Sequence, residues 1–288
     1  DNFLCSEDCL NTLRAMEQLG ARVEVLESRE GCGPVRFRIT GVAMRPHSPS
    51  RPIDCGNSGT GMRLLAGMLA ACPFDSEMFG DASLSSRPMG RIMSPLEQMG
   101  AKIEARGSKP GCAPLFIHAG HVRPISYTLP MASAQVKSAI LLAGMFADGT
   151  TTVRQPAVTR DHTERLFRHF GVPCTVDGLT VGTSGPALPV AHDLTVPADI
   201  SAAFWMVAAA SRPGSRLTLR QVGLNKTRNA VISALQRMGA RMGHRAHFSG
   251  RCREPYGDIP CTVRIPCTAP ASSRKKYLTS LTRYPSWP

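Results

Sequence analysis

The feature that most restricts the folds open to this sequence is a recurring segment: an apolar helical stretch, a glycine, then strand-like alternation. It occurs as LRAMEQLGARVEV around Gly20, LEQMGAKIEA around Gly100, LFRHFGVPCTV around Gly171 and LQRMGARMGH around Gly239. Successive glycines lie 80, 71 and 68 residues apart. In each copy the apolar residues fall at helical spacing and define one buried face. Glycine at the end of such a stretch suits the left-handed backbone of a helix C-cap, which other residues disfavour. The chain then passes directly into a strand, as the alternation from Ala101 to Ala105 indicates.

A second pattern interleaves with the first. Small-residue helices are predicted to open near Ser58 (SGTGMRLLAGMLA), Ser133 (SAQVKSAILLAGMFA) and Ser201 (SAAFWMVAAA), 75 and 68 residues apart. Being apolar on nearly every face, each is expected to be buried between layers. Strand signals follow in TTTVRQ and SRLTLR. Two helices and several strands thus recur at least three times, which predicts an α/β protein. Val196–Asp199 (VPAD) marks the expected domain boundary, with a first domain over 1–195 and an incomplete second over 196–259. From Pro260 to Pro288 the chain has no acid and no apolar periodicity, and reads as an aberrant tail foreign to the repeat.

Composition narrows the classes. Hydrophobic residues at 42% and charged residues at 19% exclude disorder for most of the chain. The longest apolar run, Ala202–Ala210, falls far short of the roughly 18 residues of a membrane span. The net charge of +13 raises nucleic-acid binding as an alternative, but five of the 34 basic residues lie in the acid-free tail. With 6% aromatics and no basic stripe interleaved with them, the body suits small anions at least as well. The ten cysteines are scattered without a Cys-x-x-Cys pair. Cys5 and Cys9 would sit one helical turn apart, with no second pair to complete a zinc site. They read as reduced, structural thiols of a cytoplasmic protein.

Several motifs offer chemistry. DCGNSGTGMRLL (Asp54–Leu65) sets a glycine-rich turn before a buried helix, where unpaired N–H groups and the helix dipole favour phosphate or carboxylate. Asn57, Ser58 or Thr60 can cap it, and it lacks the Gly-Lys-Ser/Thr ending of a Walker A loop. Arg87, before Pro88 in SSRPMGR, is placed to grip a planar anion, the alternative being a solvated arginine. Lys137 lies inside the apolar SAQVKSAILLAG helix and needs an anion unless it snorkels to a rim. In TRDHTERLF, Asp161 or Thr163 opens a helix with Glu164 in its first turn, and Arg160 and His162 can face a cleft. The His118/His121 and His244/His247 pairs lack the helical context or carboxylate partner of a metal site.

Taken in order, GNSGTGMRLL, SRPMGR, SAQVKSAILLAG, TRDHTERL, VPADIS and GLNKTR closely resemble the 5-enolpyruvylshikimate-3-phosphate (EPSP) synthase family, from about Asn2 to Ile259. The Gln-x-Lys form of SAQVKS is similar to a bacterial class that includes glyphosate-tolerant members. The resemblance implies a two-domain enolpyruvyl transferase fold built from βαβαββ units. It implies transfer of the carboxyvinyl group of phosphoenolpyruvate to the 5-hydroxyl of shikimate 3-phosphate, on the route to chorismate, without metal or organic cofactor. The implied protein is a monomer that engages neither nucleic acid nor membrane. Carried over by motif, Gly59, Arg87 and Gln135 are expected to meet phosphoenolpyruvate, and Ser133, Ala134, Gln135, Arg160 and Thr159 shikimate 3-phosphate. A UDP-N-acetylglucosamine enolpyruvyl transferase of the same fold is the nearer alternative, against which SAQVKS and TRDHTER stand. The family's Lys-Ser pair and its acid–base residues have no counterparts here, so the chain is expected to be a fragment, incomplete at both ends, with little activity of its own.

Overall fold

A computed structural model describes residues 1–202, 214–237, 241–243, 245–247 and 254–262. The repeat glycine Gly239, most of SAAFWMVAAA, His244 and the tail from residue 263 lie outside the described residues. Contacts divide the chain into two compact units between Ala191 and His192.

In the first unit the repeat has become a fixed topology. The helix α1 (Glu7–Gln18) leads into the hairpin β1 (Arg22–Arg29) and β2 (Gly33–Thr40). Next come β3 (Ile53–Asp54), α2 (Gly59–Leu69), β4 (Ser76–Phe79), α3 (Gly90–Gln98), β5 (Ile103–Ala105) and β6 (Leu115–Ile117). Their strands form one sheet in the order β3-β4-β6-β5, parallel in the first pair and antiparallel in the other two. The series β7 (Ser126–Thr128), α4 (Ala134–Gly144), β8 (Gly149–Arg154), α5 (His162–His169), β9 (Cys174–Asp177) and β10 (Thr180–Gly185) repeats it, in the order β7-β8-β10-β9 with the same directions. Two complete βαβαββ units therefore stand side by side in sequence, and α1-β1-β2 has the form of their last helix and hairpin.

The punctuation follows from local chemistry. Gly20 and Gly100 have φ of +103° and Gly171 of +71°, the left-handed conformation. The residue after each glycine donates back into its helix: Ala21 to Met16 O at 2.9 Å, Ala101 to Leu96 O at 3.0 Å, Val172 to Phe167 O at 2.8 Å. These are Schellman closures, which satisfy carbonyls the helix end would otherwise leave open. At the other ends, Ser58 Oγ accepts from Gly61 N–H at 3.1 Å and Ser133 Oγ from Val136 N–H at 3.4 Å. Both small-residue helices thus start where the sequence predicts.

α2 and α4 form the centre of the unit's core, with Met62, Ala66, Leu69, Ala139, Ile140, Leu141 and Ala143 excluded from solvent. Their backbones touch: a Cβ placed on Gly67 would stand 2.3 Å from the Ala139 carbonyl oxygen. The sheets cover them through Ile53, Met78, Leu115, Ile117, Val153 and Val181.

The second unit contains β11 (Arg216–Gly223), α6 (Ala230–Arg237), β12 (Arg241–Met242), β13 (Arg245–His247) and β14 (Tyr256–Thr262). Its order β11-β14-β12, all antiparallel, matches β8-β10-β9 of the first unit. Ile259 and Cys261 are both wholly buried while Pro260 is exposed, the period-two alternation of a strand. The repeat pattern therefore runs to Thr262 and does not dissolve at Pro260.

Two other expectations need correction. Cys5 precedes α1, so it is not one helical turn from Cys9; its thiol donates to Pro34 O at 2.7 Å. His118 does have a carboxylate partner, Glu104 at 2.6 Å, because neighbouring strands β5 and β6 bring the two side chains together. Arg106 shares that carboxylate at 2.9 Å, and these contacts hold Glu104 at about 2, the His118 hydrogen bond contributing most. It is a surface ion cluster; among the described residues no three His, Cys, Asp or Glu side chains gather as for a metal. Nor is any described helix long and apolar enough to cross a membrane.

The α2–α4 contact makes a sharp prediction. Gly67→Ala should cost about 1–3 kcal/mol in urea unfolding, because the methyl meets backbone rather than a movable side chain. Gly90→Ala, with nothing within 4 Å of the new Cβ, should stay within about 0.5 kcal/mol of the parent. Equal effects would contradict the close packing.

Candidate active site

The glycine-rich turn between β3 and α2 builds the first wall of the site. Asp54 Oδ1 takes the Gly56 N–H at 2.8 Å, Gly56 turns with φ of +51°, and Ser58 caps the helix. Gly59 is the first helical residue and is buried. A Cβ on Gly59 would lie 3.0 Å from Arg63 Nη1 and 3.1 Å from Arg87 Nη1, so two guanidiniums crowd the space a side chain would occupy. Burial first, then the charges of Arg87 and Arg91, hold the Arg63 guanidinium below its ordinary value. Its hydrogen-bond acceptors, Gly59 O at 3.4 Å and Gln135 Oε1 at 2.8 Å, are both neutral. Among the described residues no carboxylate pairs with this cation, and an incoming anion relieves both the desolvation and the repulsion.

Arg87 is aimed by a relay of hydrogen bonds. It follows a 3-10 turn at Leu84–Ser86 and precedes Pro88, and its Nη2 donates to Asn57 Oδ1 and, at 3.2 Å, to Ser83 Oγ. Asn57 Nδ2 in turn donates to Asp81 Oδ2 at 2.7 Å. Asp81 Oδ1 accepts the Leu84 N–H at 2.7 Å, and that bond is the main reason its carboxyl is held below the usual range. Asn57 therefore acts on Arg87 rather than as a cap; Ser58 alone caps.

The first turn of α4 supplies the second wall. Ser133 is the cap, Ala134 the first helical residue, and Gln135 bridges the walls. Its Oε1 accepts from Arg63 at 2.8 Å and its Nε2 donates to Thr60 Oγ1 at 2.6 Å. Lys137, one half-turn on, is wholly buried and so does not snorkel. Its anion is Glu164 of α5, itself 3% exposed, and its ammonium also donates to Arg160 O at 2.9 Å.

Gly59 and Arg87 thus stand side by side, Gln135 reaches them through Arg63, and Ser133 and Ala134 share Gln135's turn. Arg160 joins them only by its backbone, leaving its side chain exposed. The Thr159 hydroxyl is engaged with Gln155 Oε1 at 2.7 Å. Asp161 stands at the α5 cap position but makes no capping bond; it pairs with Arg165 at 2.9 Å, and His162 is the first helical residue. Arg63 and Asp81 were not anticipated, and Glu164 was expected only as a first-turn acid of its helix, not as the anion of Lys137. Arg63 had a signal, since it lies one helical turn beyond Gly59 in an otherwise apolar helix; Asp81 had none beyond its charge. A hollow of about 670 Å³ lined by Asn11, Arg14, Gln18, Arg51, Asp54 and Glu77 among others shares only Asp54 with the walls of the site and mixes both charge signs.

Guanidinium, amide and hydroxyl groups bind and orient anions and stabilise developing negative charge; none titrates near neutrality. Gly59→Ala should leave thermal stability intact, because alanine is the better helix former by about 1 kcal/mol. It should weaken inorganic phosphate binding about 10-fold in calorimetric titration, by displacing one charge-assisted contact. Unchanged affinity would contradict the placement of the site.

Comparisons with known proteins identify the family. Residues 1–265 match the family model of EPSP synthase (3-phosphoshikimate 1-carboxyvinyltransferase). The chain is 89% identical over 260 residues to the 3-phosphoshikimate 1-carboxyvinyltransferase of Akkermansia muciniphila, covering 90% of this chain and 60% of that one. It is 46% identical over 268 residues to the protein of that name from Geobacillus kaustophilus, covering 92% and 60%. The EPSP synthase structure from Acinetobacter baumannii superposes with a TM-score of 0.78 at 45% identity, covering 91% of this chain and 58% of that one. This chain spans about 60% of the length of the curated relatives it matches. Neither the UDP-N-acetylglucosamine enzyme nor a nucleic-acid-binding protein is favoured by these matches. The chain belongs to the EPSP synthase family.

Proposed function

We propose that this chain carries the anion-binding wall of an enzyme that transfers the carboxyvinyl group of phosphoenolpyruvate to the 5-hydroxyl of shikimate 3-phosphate, releasing phosphate. The observation that carries the reading is the half-buried Arg63 guanidinium over Gly59, set beside Arg87 and bonded only to neutral oxygens among the described residues. Both substrates are polyanions, and such a pair at a helix start binds phosphate and carboxylate groups. In this reading Gly59, Arg87 and Gln135, with Arg63 added, meet phosphoenolpyruvate. Ser133, Ala134, Gln135, Thr159 and Arg160 meet shikimate 3-phosphate, with Gln135 between the two. A monomer in the cytoplasm is part of the same proposal; for the compartment, the free state of all eight described cysteines is the supporting observation.

These residues bind and orient; they do not move protons. Acid–base groups typically contribute about 10²–10⁴-fold each, and those the family resemblance implies are not among these 288 residues. The chain alone is therefore expected to bind both substrates weakly and to release phosphate far more slowly than the A. baumannii synthase. In calorimetry, Arg87→Ala should weaken phosphoenolpyruvate about 10–100-fold, the worth of one or two charge-assisted bonds, with a smaller effect on shikimate 3-phosphate. Salt-dependent retention on a polyanionic resin with no response to either substrate would favour nucleic-acid binding instead.

A further inference from the structure

We propose that Lys137 is a positioning residue: its buried ion pair with Glu164 holds the backbone of Arg160 so that the exposed guanidinium is presented to the phosphate of shikimate 3-phosphate. The proposal rests on the reading of Arg160 as a ligand of that phosphate. Lys137 is 0% exposed and Glu164 3%, and two ions so buried stabilise a fold less well than an apolar pair of the same volume. Nor is the pair electrostatically saturated, since Glu164 Oε2 is buried without a hydrogen-bond partner. What the ammonium provides that an apolar side chain cannot is a second directed bond, to Arg160 O at 2.9 Å.

The position of that bond matters. Lys137 donates its own N–H to Ser133 O at 3.1 Å, so it belongs to the turn that carries Ser133, Ala134 and Gln135. The segment around Arg160 is held on either side as well. Gln155, 4% exposed, takes the hydroxyl and the N–H of Thr159 at 2.7 and 3.2 Å, and Ser138 meets Thr163 hydroxyl to hydroxyl at 2.6 Å. A fixed backbone beneath a solvent-facing arginine is preorganisation: less freedom is lost when the anion arrives.

The test is a double-mutant cycle on the 288-residue chain, titrated calorimetrically with shikimate 3-phosphate. Lys137→Met with Glu164→Gln removes both charges together, so no uncompensated ion remains buried, and the variant should stay folded by circular dichroism. It should bind about 10-fold more weakly, the cost of misaligning one charge-assisted contact. Arg160→Ala should weaken the parent at least as much, yet add less than about 2-fold in the Met/Gln background, because the two act through one contact. Full additivity, or parent-like affinity of the Met/Gln variant, overturns the proposal while leaving Arg160 as a ligand. No effect of Arg160→Ala in the parent, or no binding by the parent, removes the ligand reading and the proposal with it. If the Met/Gln variant does not fold, Glu164→Asp decides: it keeps both charges but draws the ammonium from Arg160 O. It should weaken binding about 3-fold, a partial misalignment of the same contact, and parent-like affinity would overturn the proposal.

Discussion

The site depends on how closely α2 and α4 approach. With glycine at 67 facing the Ala139 carbonyl, the two backbones touch. Any side chain at residue 67 would force the helices apart and move their N-terminal turns with them. Those turns carry Gly59 and Thr60 on one side and Ser133 to Gln135 on the other, and the Gln135 bridge to Arg63 and Thr60 spans them at 2.8 and 2.6 Å. Hydrogen bonds of that length tolerate displacements of only a few tenths of an ångström. Tight core packing between small residues is thus transmitted to a polar surface at the helix ends.

Two cations on these apolar helices have opposite fates, and the difference separates structure from binding. Lys137 is sealed from water and matched by Glu164, so its charge is used up inside the fold. Arg63 is only half-buried, feels the charges of Arg87 and Arg91, and among the described residues finds only neutral oxygens. The fold thereby keeps one charge for itself and leaves another in deficit at the end of the same helix pair. Asp81, engaged by Leu84 and Asn57, attracts Arg87 both by charge and through the Asn57 amide, so the deficit rests on Arg63.

Much of this could be read from the residues themselves. The helix–glycine–strand recurrence led to the C-caps at Gly20, Gly100 and Gly171, because left-handed backbone leaves a local chemical mark. Ser58 and Ser133 were legible as helix starts because a serine hydroxyl can cap the free N–H groups of a first turn. Long-range pairings were not. Nothing local to Glu164 says that it closes on Lys137 across 27 residues, or that Glu104 meets His118 just past the end of the next strand. Nor was the Asp81–Asn57–Arg87 relay visible, since it joins residues 24 and 30 positions apart. Arg63 was visible in the motif and was missed because an arginine in a helix is usually solvated. The strand from Tyr256 to Thr262 was cut short because a proline and an acid-free context masked the inward alternation of Ile259 and Cys261.

The most direct test of the account is a crystal structure of the chain soaked with phosphoenolpyruvate. The account predicts ligand density over Gly59, with phosphate or carboxylate oxygens within hydrogen-bond distance of the Arg63 and Arg87 guanidiniums. Ligand bound instead in the hollow beside Arg14 and Arg51, with the space over Gly59 empty, would contradict it.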